Sequence, residues 1–383
     1  MIASNKKLLL PAQHMCEWLF YRTFPHWLEY GIDIQNGGFF ESLDMDGKPQ
    51  NVNFKRTRVT ARQIYAFSHA ALLGVDDCFE AAEHGINFLL GHHRGEAVGS
   101  WVRRVDKAGK TIDKTDDLYD ISFVLFALAW WYRLTSDKNA IKLAQETLQY
   151  MKILRHPSGY GYLSSSSSKN ISEQNPHMHL LEALIELFKV TKDEQFLHAA
   201  IPLIKLFTRK FLVNNTLREF FQNNWEVADG ISGKYCEPGH MSEWVWIIFN
   251  YGKIVHHDAS GLIESMMNFV QNSALKRVDG LLPDIVLDDG SIHISSVRLW
   301  PQTEFIKGLI ARSEFFAEDH SSEITRVWLE LYRSFLSSAP TGCWHDHLDY
   351  SGRIIIDKVP ASSLYHLTLA CSELMRTSGY SLQ

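Results

Sequence analysis

Apolar residues recur every three to four positions along most of the chain, the spacing that buries one stripe of a helix. The pattern predicts a first helix over 7–30, bent near Pro25. Eleven more follow near 60–74, 79–93, 118–134, 138–155, 177–191, 195–212, 239–255, 258–275, 300–316, 322–338 and 361–376. One helix of each pair is apolar nearly all round, as a helix packed on both sides should be. The stretch 36–48 alternates instead, and its Asp44-Met45-Asp46-Gly47 turn reads as a short hairpin. Glycine-led connectors recur between helix pairs. They run over 99–104 to a turn at Ala108-Gly109, over 159–163 into the serine tract 164–168, over 280–282 to Asp288-Asp289-Gly290, and over 342–349 to Ser351-Gly352.

The polar exceptions inside the apolar helices fall into register. Pro238-Gly239-His240-Met241-Ser242-Glu243-Trp244 opens one such helix, with proline suited to the first turn and His240 and Glu243 on one face. Moving 61 residues back from Glu243 reaches Glu182, and 61 forward reaches Glu304; 62 more gives His366. Moving 62 back from Glu182 gives Asp120, and 58 further gives Arg62. His179 stands to Glu182 as His240 stands to Glu243. Such a period marks a repeat architecture. The expected fold is all-α: a closed ring of six helical hairpins, twelve helices with short β-hairpin connectors, in a single domain over 1–383. The register-bearing helices form its inner ring. Pro176, Pro238, Pro301 and Pro360 each lie a few positions before a register residue, which places the polar groups near helix N-termini at one barrel mouth. There the backbone favours negative charge.

Composition narrows the partners. A net charge of -6 with no basic cluster argues against nucleic acid. The longest apolar run, 123–132, is too short for the ~20 residues that span a bilayer, and 8–10 is too short for a signal-peptide core. Five widely spaced cysteines form no paired or metal-type framework, so reduced thiols and a cytoplasmic location are expected. Nothing marks an interface, so the chain is read as a monomer or homodimer. Most of the eleven tryptophans are assigned to the core, and the few beside the polar register to a sugar site.

Six polar residues in register near one mouth are poorly explained as structure alone, because burying them costs desolvation. No close-spaced His/Asp/Glu set completes a zinc-type site around His240 and Glu243, so neither a metal nor a cofactor is expected. Two enzyme classes fit. Glycoside hydrolysis would draft two of Glu182, Glu243 and Glu304. Proton transfer beside a sugar carbonyl would use histidines as acid and base, with carboxylates holding their tautomers.

Gly37-Gly38-Phe39-Phe40-Glu41, Ala61-Arg62-Gln63, His177-Met178-His179 to Glu182, Gly239-His240 to Glu243-Trp244, and Trp300-Pro301-Gln302 to Glu304 resemble the N-acylglucosamine 2-epimerase superfamily over nearly the whole chain. The resemblance implies an (α/α)6 barrel and metal-free isomerisation or epimerisation of sugars. It implies His240 and His366 as the acid/base pair and Arg62 near the C1/C2 oxygens. Glu243 and Glu304 would orient or bind, and His179 and Trp300 would line the sugar site. Asn175 and His177 are further candidates, with helix capping the alternative for His177; His345 and His347 are read as rim residues. Val359-Pro360-Ala361-Ser362-Ser363-Leu364-Tyr365-His366-Leu367 resembles the D-mannose isomerase branch, whose reaction converts D-mannose to D-fructose through a cis-enediol. The alternatives are a sugar 2-epimerase and, from another class, a glycoside hydrolase on the same barrel. Which histidine acts first is left open.

Overall fold

The computed structural model describes residues 5–166, 171–256 and 258–382. The expected N-terminal segment loses residues 1–4 to the undescribed part, and Ser167 and Ser168 of the serine tract also lie outside it. Thirteen α-helical segments are present among the described residues: α1 Leu9–Trp18, α2 Phe24–Tyr30, α3 Thr57–Leu72, α4 Cys78–His92, α5 Leu118–Thr135, α6 Lys138–Tyr150, α7 Asn175–Thr191, α8 Glu194–Leu206, α9 Pro238–Val255, α10 Ser260–Ala274, α11 Leu299–Phe316, α12 Ser321–Leu331 and α13 Leu364–Ser378. α1 and α2 run on through a wider turn, Leu19–Thr23, so they count as one bent rod. The twelve expected helices are therefore there, as an (α/α)6 barrel.

Each even-numbered helix from α4 to α12 packs on the odd-numbered helix before it, and α1 packs on α13. The odd helices α3, α5, α7, α9, α11 and α13 also contact one another in turn, and α13 meets α3 to close the ring. Burial follows this order. In α5 nearly every residue from Leu118 to Trp131 is buried, whereas amphipathic α6 buries one stripe of Ala140, Leu143, Ala144 and Thr147. α5, α7, α9 and α11 end on left-handed residues, Ser136, Lys192, His256 and Ala317, whose N–H groups close the last turn. Trp244, fully buried on α9, stacks on Phe207 at 4.1 Å between ring centres. Burial of a side chain of this kind contributes roughly 1.5–3 kcal/mol.

Three outer helices stop earlier than their apolar pattern. α6 passes into a tighter turn at Met151–Leu154, while α8 and α12 widen at Phe207–Phe211 and Tyr332–Leu336. Periodicity continues through such turns because the side chains stay on the core face. The hairpin over 36–48 folds on itself only at the Asp44–Lys48 turn; its strand Ser42–Leu43 pairs with Val359–Pro360, joining the first repeat to the last. Phe54–Arg56, Arg104–Asp106 and Thr111–Asp113 form a small sheet over the same barrel end. The five cysteines are buried and free, with Cys16 Sγ of α1 3.4 Å from Cys371 Sγ of α13. No described helix is long and apolar enough to cross a membrane.

Candidate active site

Because the inner helices run the same way, their first turns converge at one mouth. A cavity of about 260 Å³ opens there, lined by Arg62, Tyr119, Asn175, His179, Glu237, His240, Glu243, Arg298, Trp300, Asp346, Ser362, Ser363 and His366. Seven of the nine candidate residues thus share one wall. Glu304 does not line it: this carboxylate is fully buried behind His366. Asp120 leaves the register too. It turns to Arg58, with Oδ1 2.7 Å from Nε, so the pair braces α3 against α5.

The two histidines are held in opposite states. His240 Nδ1 lies 2.9 Å from Glu219 Oε2 and 3.7 Å from Glu237 Oε2. Burial opposes charge on this ring, but Glu219, then Glu237, and the hydrogen bond to Glu219 outweigh it and raise the pKa to about 9. His240 is therefore an imidazolium at neutral pH, with Nε2–H left over for the cavity. His366 Nδ1 lies 2.8 Å from Glu304 Oε1. Its pKa falls well below the ordinary value, through burial first and then the positive charges of Arg62 and Lys307. A neutral ring that donates Nδ1–H to Glu304 keeps a lone pair on Nε2. Trp300 lies between the two, 5.0 Å from the His240 ring and 5.4 Å from the His366 ring.

The rest of the wall supplies charge and donors. Arg62 Nη2 donates to Tyr119 Oη at 2.6 Å, and its guanidinium lies 4.0 Å over the Phe123 ring, which leaves Nε without a partner in the described residues. Both oxygens of Glu243 also have no hydrogen-bond partner among the described residues. Burial, then the Glu304 charge, pushes that carboxyl well above its usual range. His179 Nδ1 donates to Glu182 Oε2 at 3.2 Å, and burial brings its pKa down to about 4. Tyr365 Oη donates to Glu182 at 2.7 Å, fixing that carboxylate beneath the cavity. At the rim Arg298 Nε meets Asp284 Oδ1 at 3.0 Å, and His347 Nε2 meets Asp284 Oδ2 at 2.8 Å.

Two expectations are corrected. His345 is not a rim residue: it is buried, with Nε2 3.1 Å from Ser338 Oγ. His177 does not reach the cavity, because Nδ1 faces the Glu173 carbonyl at 2.9 Å and Nε2 accepts from Tyr162 N–H at 3.0 Å. It anchors a connector. Sequence reasoning missed Glu219, Glu237, Tyr119, Lys307 and Tyr365. Glu219 lies in the connector before α9, where no period applies. Lys307, one turn after Glu304 on α11, was legible only as a lysine inside an apolar helix.

Among the described residues, three groups bring metal-type ligand atoms within 4.8 Å of one another: His179, Glu182 and Glu243; Glu219, Glu237 and His240; and Glu243, Glu304 and His366. In the second, the imidazolium of His240 is itself the cation. In the third, the Lys307 ammonium lies 2.7 Å from Glu304 and fills that role. A larger cavity, about 710 Å³, opens at the opposite barrel end, but its cations Arg133, Lys189, Lys253 and Arg376 are each paired with glutamates. His240 and His366, the residues expected to act as acid and base, line the smaller one.

Residues 38–370 match the model of the N-acylglucosamine 2-epimerase family. A protein of Rhizobium meliloti named mannose-6-phosphate isomerase is 29% identical, over 95% of this chain and 97% of its own. A Bacteroides fragilis cellobiose 2-epimerase is 25% identical over 95% and 98%. The solved cellobiose 2-epimerase of Spirochaeta thermophila superposes with a TM-score of 0.88 at 22% identity, over 99% of both chains.

Proposed function

The chain belongs to the N-acylglucosamine 2-epimerase family, and from that premise we propose that it is an aldose–ketose isomerase converting D-mannose to D-fructose. The observation that carries the reading is the opposite protonation of two histidines on one cavity wall. His366, neutral on Glu304, takes the C2 proton through Nε2. His240, cationic on Glu219 and Glu237, protonates the carbonyl oxygen at C1 as charge develops there, and Arg62 adds positive charge beside it. His366, its new proton exchanged with solvent, then protonates C1 while the O2 hydroxyl proton passes to the now neutral His240, which gives the ketose and restores both rings. Of the two roles open to Glu304, orienting His366 fits its place behind the ring, and Glu243, Asn175, His179 and Trp300 are left to contact sugar. A cavity of about 260 Å³ suits one sugar ring, being smaller than the roughly 300 Å³ at which ligand clefts usually begin.

One observation favours a second reading, a 2-epimerase acting on a disaccharide. A polar cavity of about 390 Å³, lined by Arg58, Arg103, Asp117, Ser164, Ser165, Glu173 and others, adjoins the first through Tyr119 and Asn175. The two readings separate by product. D-mannose, D-mannose 6-phosphate and cellobiose are each incubated with the purified protein and products are identified by NMR. Fructose from mannose supports the isomerase. Turnover of cellobiose alone, giving its C2 epimer, overturns it in favour of the second reading, and turnover of the phosphate ester alone replaces the free sugar as substrate. His240→Ala and His366→Ala should each lose about 100-fold or more in kcat, the usual scale for a missing acid or base.

A further inference from the structure

Lys307 has no exposure at all, although lysine is among the residues least often fully buried. Its Nζ lies 2.7 Å from Glu304 Oε2 on the same helix and 4.3 Å over the Trp246 ring. The other oxygen of Glu304, Oε1, takes the Nδ1 proton of His366 at 2.8 Å. The three groups form one line, ammonium to carboxylate to imidazole, running from the barrel interior to the cavity wall. We propose that Lys307 is a positioning residue for proton transfer: its ammonium keeps Glu304 ionised, and Glu304 then fixes the His366 tautomer that leaves Nε2 free to act as base. The inference rests on the reading of His366 as the base.

The surroundings explain why Glu304 needs a cation. Glu182 on α7 and Glu243 on α9 face the same interior, as do His179 and His240, while Arg62 of α3 and Tyr365 of α13 flank His366. Burial raises the Glu304 carboxyl, and Lys307 is the strongest influence holding it down. Burial likewise works against the ammonium, but Glu304, then Glu243 and Glu182, raise its pKa above the ordinary lysine value. Without that charge Glu304 would bind a proton, and a carboxylic acid can hydrogen-bond to either tautomer of His366. Protonation on Nε2 would then abolish the base without moving any atom of the cavity.

The test is the pH dependence of kcat and KM in the D-mannose assay for wild type, Lys307→Met, Glu304→Gln and the double variant. Lys307→Met should lose about 10- to 100-fold in kcat at pH 7, within the range for acid–base catalysis, with KM changed less than about threefold. Its acid limb should move up by about one pH unit or more. In the Glu304→Gln background the same substitution should cost less than about threefold, because the two act as a unit. A folded Lys307→Met with the wild-type profile, beside inactive Glu304→Gln and His366→Ala, overturns the inference alone. If His366→Ala is also fully active, the reading of the base has failed instead. Should Lys307→Met not fold, 15N shifts of His366 in the wild type decide, assigned by their loss in His366→Asn. The ring should stay Nδ1-protonated and neutral from pH 8 to 5.5; a change of tautomer or charge in that interval overturns the proposal.

Discussion

Glu219 shows how one carboxylate decides the chemistry of a residue 21 positions away. It accepts from His240 Nδ1, from Gln174 Nε2 at 2.8 Å and from the Glu237 N–H at 3.2 Å, so it is fixed on three sides. Since it is the strongest of the groups that raise His240 to about 9, Glu219→Gln should bring the basic limb of kcat/KM down toward the ordinary histidine value near 6.5. The sign follows from the role: the acid must be protonated, so activity falls as pH rises through its pKa. A basic limb that stays near 9 in this variant would remove Glu219 from the mechanism. Arg62→Lys should also damage turnover, by about tenfold or more, because a planar fork stacked on Phe123 and bonded to Tyr119 becomes a point charge. Wild-type kinetics there would make Arg62 structural. At this scale the sequence was readable wherever the repeat carried the information. His240, Glu243, Glu304 and His366 sit in register, but Glu219 comes from an irregular connector and Tyr119 lies one residue before the register position Asp120.

The helix mouth depends on how closely α9 and α11 approach. A Cβ added at Gly239 would stand 2.8 Å from both Pro301 Cβ and the Trp300 ring. Backbone of α9 and the indole between the two histidines are therefore in direct contact, and Gly239 is a packing requirement. Gly239→Ala should push Trp300 or His240 out of place, lowering kcat by about 10- to 100-fold through misplacement alone. Thermal unfolding should shift only by the few degrees expected of about 1–3 kcal/mol of overpacking. Unchanged turnover would show that the two helices have room to separate. Helix number, order and inner or outer assignment were all legible from periodicity, because burial on one or two sides writes itself into the apolar pattern. The ends of α6, α8 and α12 were not, since a widened or tightened turn keeps the same face buried. The pairing of Ser42–Leu43 with Val359–Pro360 was hidden as well, because strands of two residues carry no alternation to read.

Across the whole molecule, ring closure buries histidines that serve no acid–base step. His69 and His93 are both pushed down to about 3, by burial first, with Arg133 contributing at His69 and His92 at His93. His177 and His179 fall to about 4 for the same principal reason. Below pH ~6.5 the unfolded chain binds protons at these sites and the native barrel does not. Stability should therefore fall steadily from about pH 6.5 to pH 4, read as a declining Tm. His240 acts the other way: its stabilising contribution is full below about 6.5 and is lost as pH rises through about 9. A Tm flat from pH 7 to 4 would contradict neutral burial of these rings. The central claim is that the barrel mouth moves a proton from C2 of an aldose by way of an enediolate. Proton NMR of the chelated enzyme with D-mannose in D2O tests it most directly. Fructose carrying deuterium at C1 is the result the account predicts. Fructose that retains the substrate hydrogen at C1 and takes up no deuterium would contradict it, because the hydrogen would have moved without passing through a base in exchange with solvent.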